Sequence, residues 1–166
     1  MTHAAVLDDV LATDLAVLVG VAEPMGATDR PNLFNAIALI GAGQWRIVAR
    51  KRLLPTYDVF DEDRYFEPAN APTVITHAGR RIGVTICEDI WTSPSLSTRR
   101  LYAGPTPLEQ LAGQRCDFVV NLSASPWHET KADVRNSLVV TGAGRALAVS
   151  GSSRCRARRA APRSRR

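Results

Sequence analysis

The chain has 166 residues, enough for one domain with a real core, and 45% of them are hydrophobic, an ordinary share for a globular protein. Its formal charge of +5 is concentrated at one end. Residues 151–166 hold seven arginines and no acid, which leaves 14 basic against 16 acidic residues elsewhere. The body is therefore about −2 and offers no basic face, so nucleic acid is not an expected partner. Three cysteines, Cys87, Cys116 and Cys155, with no C-x-x-C spacing argue against a disulfide framework and against a zinc site, and a cytoplasmic location is expected. The first ten residues lack a positive region followed by an apolar one, and nowhere do about 18 apolar residues run together, so neither that export route nor a membrane span is expected.

Val6, Leu7, Val10, Leu11 and Leu15 fall at helical spacing, which predicts an amphipathic helix from Ala4 to about Thr13. Ala16 to Val21 reads as a short buried strand and Glu23 to Pro31 as a loop. Asn35–Ile40, a turn at Gly41–Gln44 and Trp45–Ala49 read as a hairpin, with Lys51 at its exit. Residues 52–72 carry three prolines and no steady period, which predicts an ordered loop. Thr73–Thr76, a turn at Ala78 and Gly79, and Arg81–Ile86 read as a second hairpin. Residues 94–107 read as a loop, Leu108–Ala112 as a short helix and Asp117–Leu122 as a strand. Thr130 is a candidate N-cap for a helix from Lys131 to about Thr141, ended or weakened by Gly142 and Gly144. Strands with helices between and after them predict an α/β layered domain with a mixed sheet over residues 1–150. The first element begins almost at residue 1, and the tail of residues 151–166 uses only Gly, Ser, Arg, Cys, Ala and Pro. The domain is therefore expected to be incomplete, and the tail disordered or an out-of-frame reading.

The chemistry centres on I-G-V-T-I-C-E-D-I-W, residues 82–91. Ile82, Val84 and Ile86 alternate at the strand period and the run stops at Cys87, which places a thiol where a buried strand gives way to a loop. A free cysteine is more often a small buried hydrophobe than a nucleophile, so the neighbours must decide. They include R-K-R-L-L-P-T-Y-D-V-F-D-E-D-R-Y-F from Arg50 to Phe66 and N-L-S-A-S-P-W-H from Asn121 to His128. With these three motifs in this order, the chain from about Ala4 to about Ala143 resembles the carbon-nitrogen hydrolase (nitrilase) superfamily. Within that superfamily it resembles the glutaminase domain of glutamine-dependent NAD+ synthetases.

The resemblance implies an α-β-β-α sandwich, here incomplete, and a site built on Cys, Lys and Glu. By match to the motifs, Cys87 is the nucleophile and Lys51 the lysine. A glutamine side-chain amide is a poor electrophile, so its hydrolysis needs a thiolate, a cation where the carbonyl oxygen becomes negative, and a base that returns a proton to leaving ammonia. Glu88, Tyr57, Trp91 and Ser125 match positions that hold the glutamine in the family. The plainer readings are a solvated acid, two packing aromatics and a turn residue. The family's base lies well before its lysine. Glu23 is the only glutamate ahead of Lys51, but V-G-V-A-E-P reads as the next strand of the fold, so the role is not carried to it. The segment with the base is expected to be absent and the activity of this chain impaired.

The implied function is ammonia supply from glutamine to a synthetase domain that makes NAD+ from its deamido precursor. That domain, with its ATP and Mg, is not expected in these residues, because no S-G-G-x-D-S-type loop occurs. No cofactor or metal is expected for this chain, and the resemblance implies homo-oligomers. The rival readings are a free-standing amidase or nitrilase acting on another small amide, a domain tethered to nucleic acid by its arginine-rich tail, and a non-catalytic truncated product. Asn121 is expected to close its strand against a neighbouring loop. His3, His77 and His128 are too scattered in sequence for a metal site.

Overall fold

The computed structural model describes residues 16–26, 33–57, 59–92, 102, 104–124 and 131–147. The helix expected from Ala4 to about Thr13, Ser125, Thr130, Cys155 and the arginine-rich tail lie outside the described residues. Two three-stranded sheets carry the molecule. In the first, β1 (Val17–Pro24), β2 (Leu33–Gly41) and β3 (Gln44–Arg50) are antiparallel throughout. In the second, β4 (Thr73–His77) runs antiparallel to β5 (Arg80–Ile86), and β5 runs parallel to β6 (Phe118–Leu122), so this sheet is mixed.

Both hairpins turn on an Ala-Gly pair with positive φ at each residue, 51° and 73° at Ala42 and Gly43, 47° and 72° at Ala78 and Gly79. Two left-handed residues in succession match the twist of the flanking strands, and glycine in second place carries no Cβ penalty. The expected hairpins are thus present with their turns where the sequence puts them. The first strand differs from its reading as buried and ending by Val21. It runs to Pro24 and is half-buried, with Gly20, Ala22 and Pro24 exposed. Its only partner among the described strands is β2, which leaves one edge without a neighbour among those residues.

The sheets meet face to face through β3, which contacts both β4 and β5. Ile37 and Ala49 from the first sheet pack with Ile75, Ile82, Val84 and Ile86 from the second, all of them buried. The period of two along β5 sends these three isoleucine and valine side chains inward and leaves Gly83 and Thr85 to face out. On that outer face lies helix α1 (Pro107–Ala112), opened by a capping box in which Glu109 N donates to Thr106 Oγ1 at 3.2 Å and Thr106 N donates to Glu109 Oε2 at 2.9 Å. Leu108 and Leu111 of α1 pack with Ile90 and Cys116, and Val119 of β6 joins them. A Cβ on Gly83 would stand 3.1 Å from Leu111 Cδ1 and 3.3 Å from Cys116 Sγ, so the glycine is what lets this layer approach.

The last helix, α2 (Lys131–Leu147), starts as expected but runs six residues beyond the expected stop at Thr141. Gly142 and Gly144 each cost about 1 kcal/mol against alanine. Ala143, Arg145, Ala146 and Leu147 are good helix formers, and Leu138 anchors the helix at 7% exposure, so the glycines weaken the helix without ending it.

Candidate active site

Cys87 leaves β5 with φ of +43°, in the left-handed region, and opens a short 3-10 turn, Cys87–Ile90. For a residue with a Cβ this backbone costs roughly 1–2 kcal/mol, so the surroundings must hold it. They do so from both sides. Asp89 Oδ2 accepts the Ile86 N–H at 2.9 Å, and Trp91 N donates to Glu88 O at 2.8 Å. From β6, Asn121 Nδ2 donates to Thr85 Oγ1 at 3.0 Å and reaches the Cys87 carbonyl at 3.5 Å, which ties strand and loop together as expected of that residue. The parallel register sets Ile86 beside Leu122, so the residues after β6 emerge next to Cys87.

Lys51 arrives from the other sheet. Its N–H extends the β2 pairing by donating to Asn35 O at 2.7 Å, and its carbonyl accepts from Ala69 N at 2.9 Å. The side chain is 1% exposed, and its ammonium donates to both oxygens of Glu62 at 2.6 and 2.7 Å. Glu62 opens a single 3-10 turn, Glu62–Arg64, inside the long loop. Backbone bonds hold that turn in place: Glu62 N donates to Pro55 O, and Tyr65 N and Phe66 N donate to Glu62 O. The loop is ordered, as its composition suggests, but no property of the sequence separates Glu62 from its acidic neighbours Asp61 and Asp63. Its place in the run Y-D-V-F-D-E was the only available signal.

Lys51, Glu62 and Cys87 line one cleft of about 400 Å³, together with Asn35, Phe60 and Ser123. The thiol expected to attack and the cation expected to stabilise an oxyanion therefore share a pocket sized for a small amide. Glu62 is its only carboxylate among the described lining residues, and both its oxygens are bonded to Lys51. Glu23 is elsewhere, in a two-point pair with Arg50 at 2.5 and 2.6 Å.

Beside the cleft lies a second polar group. Glu88 is 4% exposed, and its Oε1 accepts from Tyr57 Oη at 2.9 Å and Tyr102 Oη at 3.2 Å. Burial pushes its carboxyl above the ordinary range, while the two phenols and Lys51 pull the other way. A solvated acid is thus excluded. Tyr57 meets Phe60 edge-to-face at 5.8 Å, and Phe60 lines the cleft, so the Glu88 group adjoins it. Tyr102 had no signal in the sequence. Trp91 packs against the outer cluster of Ile90, Leu108, Leu111 and Cys116. Neither Glu88, Tyr57 nor Trp91 is among the described residues lining the cleft. Cys116, 1% exposed, is a core residue whose thiol burial pushes up.

A strained cysteine at a strand end thus shares a cleft with a buried lysine-glutamate pair between two stacked sheets, and solved structures share the fold. An amidase of the nitrilase superfamily from Nesterenkonia AN1 aligns with a TM-score of 0.58 over 82% of this chain and 45% of its own, at 16% identity. The glutamine-dependent NAD+ synthetase of Acinetobacter baumannii aligns with a TM-score of 0.61 over 80% of this chain and 22% of its own, at 28% identity. No family model matches the sequence. The chain has the fold of the carbon-nitrogen hydrolase superfamily. Within it, the sequence relatives are glutamine-dependent NAD+ synthetases, and that of Synechocystis sp. is 40% identical over 142 residues, 84% of this chain. The chain spans 25% of the length of that relative. Among the described residues no helix is long and apolar enough to cross a membrane.

Proposed function

We propose that this chain is the glutamine-hydrolysing part of an NAD+ synthetase, with Cys87 as nucleophile. The observation that carries the reading is the common cleft of Cys87, Lys51 and Glu62. Cys87 Sγ attacks the carbonyl carbon of the glutamine side-chain amide. Lys51 Nζ, held by Glu62, faces the oxygen that becomes negative, where a fixed cation in a dry site is worth far more than in water. The C–N bond breaks, ammonia leaves with an added proton, and a thioester remains on Cys87 until water releases glutamate. Glu88, braced by Tyr57 and Tyr102, receives the α-ammonium of the substrate; Trp91 and Ser125 are carried over as substrate-binding residues by the resemblance alone.

A base is still required to take the thiol proton and to activate water. Glu62 is committed to Lys51, so the base comes from a segment outside the described residues. Without a base the rate falls by about 10² to 10⁴. The parent enzyme would add an ATP-dependent synthetase domain that consumes the ammonia, in a cytoplasmic homo-oligomer. The test is ammonia release by the purified chain offered glutamine, asparagine and simple aliphatic amides. Release confined to glutamine supports the reading. A preference for simple amides would overturn the substrate, and no release from any of these amides would overturn the hydrolytic role.

A further inference from the structure

The two sheets bring Cys87 and Lys51 from different parts of the chain, and something must set how far apart they stand. A single carboxylate is bonded to the backbone beside each of them. Asp89 Oδ1 accepts the N–H of Arg52 at 3.1 Å and of Leu53 at 2.9 Å, the two residues that follow Lys51. Its other oxygen accepts the N–H of Ile86, the residue before Cys87, at 2.9 Å. Asp89 is 2% exposed and lies two residues beyond Cys87, in the 3-10 turn that begins with it. The Arg52 side chain extends the same tie, donating to Gln110 Oε1 of α1 and to Ala69 O. We propose that Asp89 is a positioning residue, which fixes the separation of Cys87 from Lys51 by joining the loops that carry them.

The chemistry of the side chain supports this. A carboxylate presents only acceptors, about four lone-pair sites, and here it meets three donors and no acceptor among the described residues. An asparagine of the same size would turn an NH2 group against at least one N–H, so one loop would be released. The Ile86 bond also braces the left-handed backbone at Cys87, which relaxes toward ordinary φ if that brace is lost. The role rests on the assignment of Cys87 and Lys51 above, but not on glutamine as the substrate.

The test is alkylation of the full chain by iodoacetamide, followed residue by residue by peptide mass spectrometry. In Asp89→Asn the rate at Cys87 is expected to change by about tenfold or more, because small displacements in a site have effects of that order. Cys116 serves as the internal reference and is expected to stay within about twofold. The Cys87 effect should vanish in a Lys51→Met background, since the two residues act as a unit. A folded Asp89→Asn chain whose Cys87 labels like the parent overturns the proposal. So does a parallel rise at Cys87 and Cys116, which is plain loss of stability, or an effect undiminished by Lys51→Met.

Hydrogen exchange on the unaltered chain gives a second reading that holds even if the variant does not fold. The amides of Arg52, Leu53 and Ile86 should share one protection factor within about threefold, because one opening frees all three. Protection differing by more than about tenfold overturns the proposal. Alkylation needs no glutamine, so failure of the proposed function and failure of this role are read separately.

Discussion

Arg50 and Lys51 are adjacent in the chain, both are cations, and each holds a glutamate through two hydrogen bonds. They differ in where the strand end sends them. Arg50 points to the open side, with its side chain 43% exposed over the Phe34 ring, and pairs with Glu23 across β2 of the first sheet. Lys51 points inward, 1% exposed, toward Glu62 and the cleft of Cys87. The same pair of charges is a surface ornament in one place and a buried commitment in the other. The lesson is that ion pairs take their energetic meaning from solvent, and that alternation along one strand end separates a candidate catalytic cation from a structural one.

The strongest way to break this comparison is Glu62→Gln. It leaves the Lys51 ammonium buried without its counter-charge, and a loss of about 3–5 kcal/mol is expected in urea unfolding. Lys51→Met should cost less, because the Glu62 side chain is 21% exposed and can be solvated. Equal losses would mean the pair is not buried as described.

A second contrast concerns carboxylates. Burial pushes Asp89 up to about 6 despite three N–H donors and the nearby Lys51 ammonium. A carboxyl raised on folding contributes stability below its unfolded pKa and loses that contribution as pH rises through about 6, a change on the order of 3 kcal/mol. Exposed Asp117 is lowered by the Arg81 N–H and the Arg80 guanidinium, so its contribution is present above the unfolded pKa and lost as pH falls. Melts of the parent and of Asp89→Asn from pH 4.5 to 7.5 should therefore converge in stability as pH rises, whereas the gap between the parent and Asp117→Asn should stay constant over that range and close only below the ordinary aspartate pKa. Parallel curves for Asp89→Asn would show that Asp89 does not titrate there.

Gly83→Ala sharpens the comparison from outside the cleft. The new methyl meets Leu111, Val119 and Cys116 at 3.1 to 3.3 Å, and overpacking of about 1–3 kcal/mol is expected. Alkylation of Cys87 should be unaffected, since that layer is separate from the cleft. Last and smallest, Arg50→Ala should cost under about 1 kcal/mol, and less in high salt.

The parts that were legible in sequence are those governed by short-range rules. Period-two alternation gave β5, Ala-Gly turns gave both hairpins, and the end of an apolar run placed Cys87 at a strand terminus. The position of Lys51, one residue past a strand, was readable, whereas its role was implied only by the match of K-x-L-L-P to the family. Glu62 and Tyr102 were not readable, because an irregular loop has no period to mark which of its side chains turns inward. Only the backbone bonds of the Glu62–Arg64 turn choose Glu62 over Asp61 and Asp63. The run of α2 through Gly142 and Gly144 was hidden for a different reason: the cost of each glycine is local, whereas the packing that offsets it is tertiary.

The most direct test of the central claim is to incubate the chain with glutamine, quench in acid and map adducts by peptide mass spectrometry. A glutamyl group on Cys87, removed by hydroxylamine and absent from Cys87→Ala and from asparagine-treated chain, is the predicted result. A glutamyl group on another residue, or an unmodified Cys87 after prolonged exposure to saturating glutamine, would contradict it.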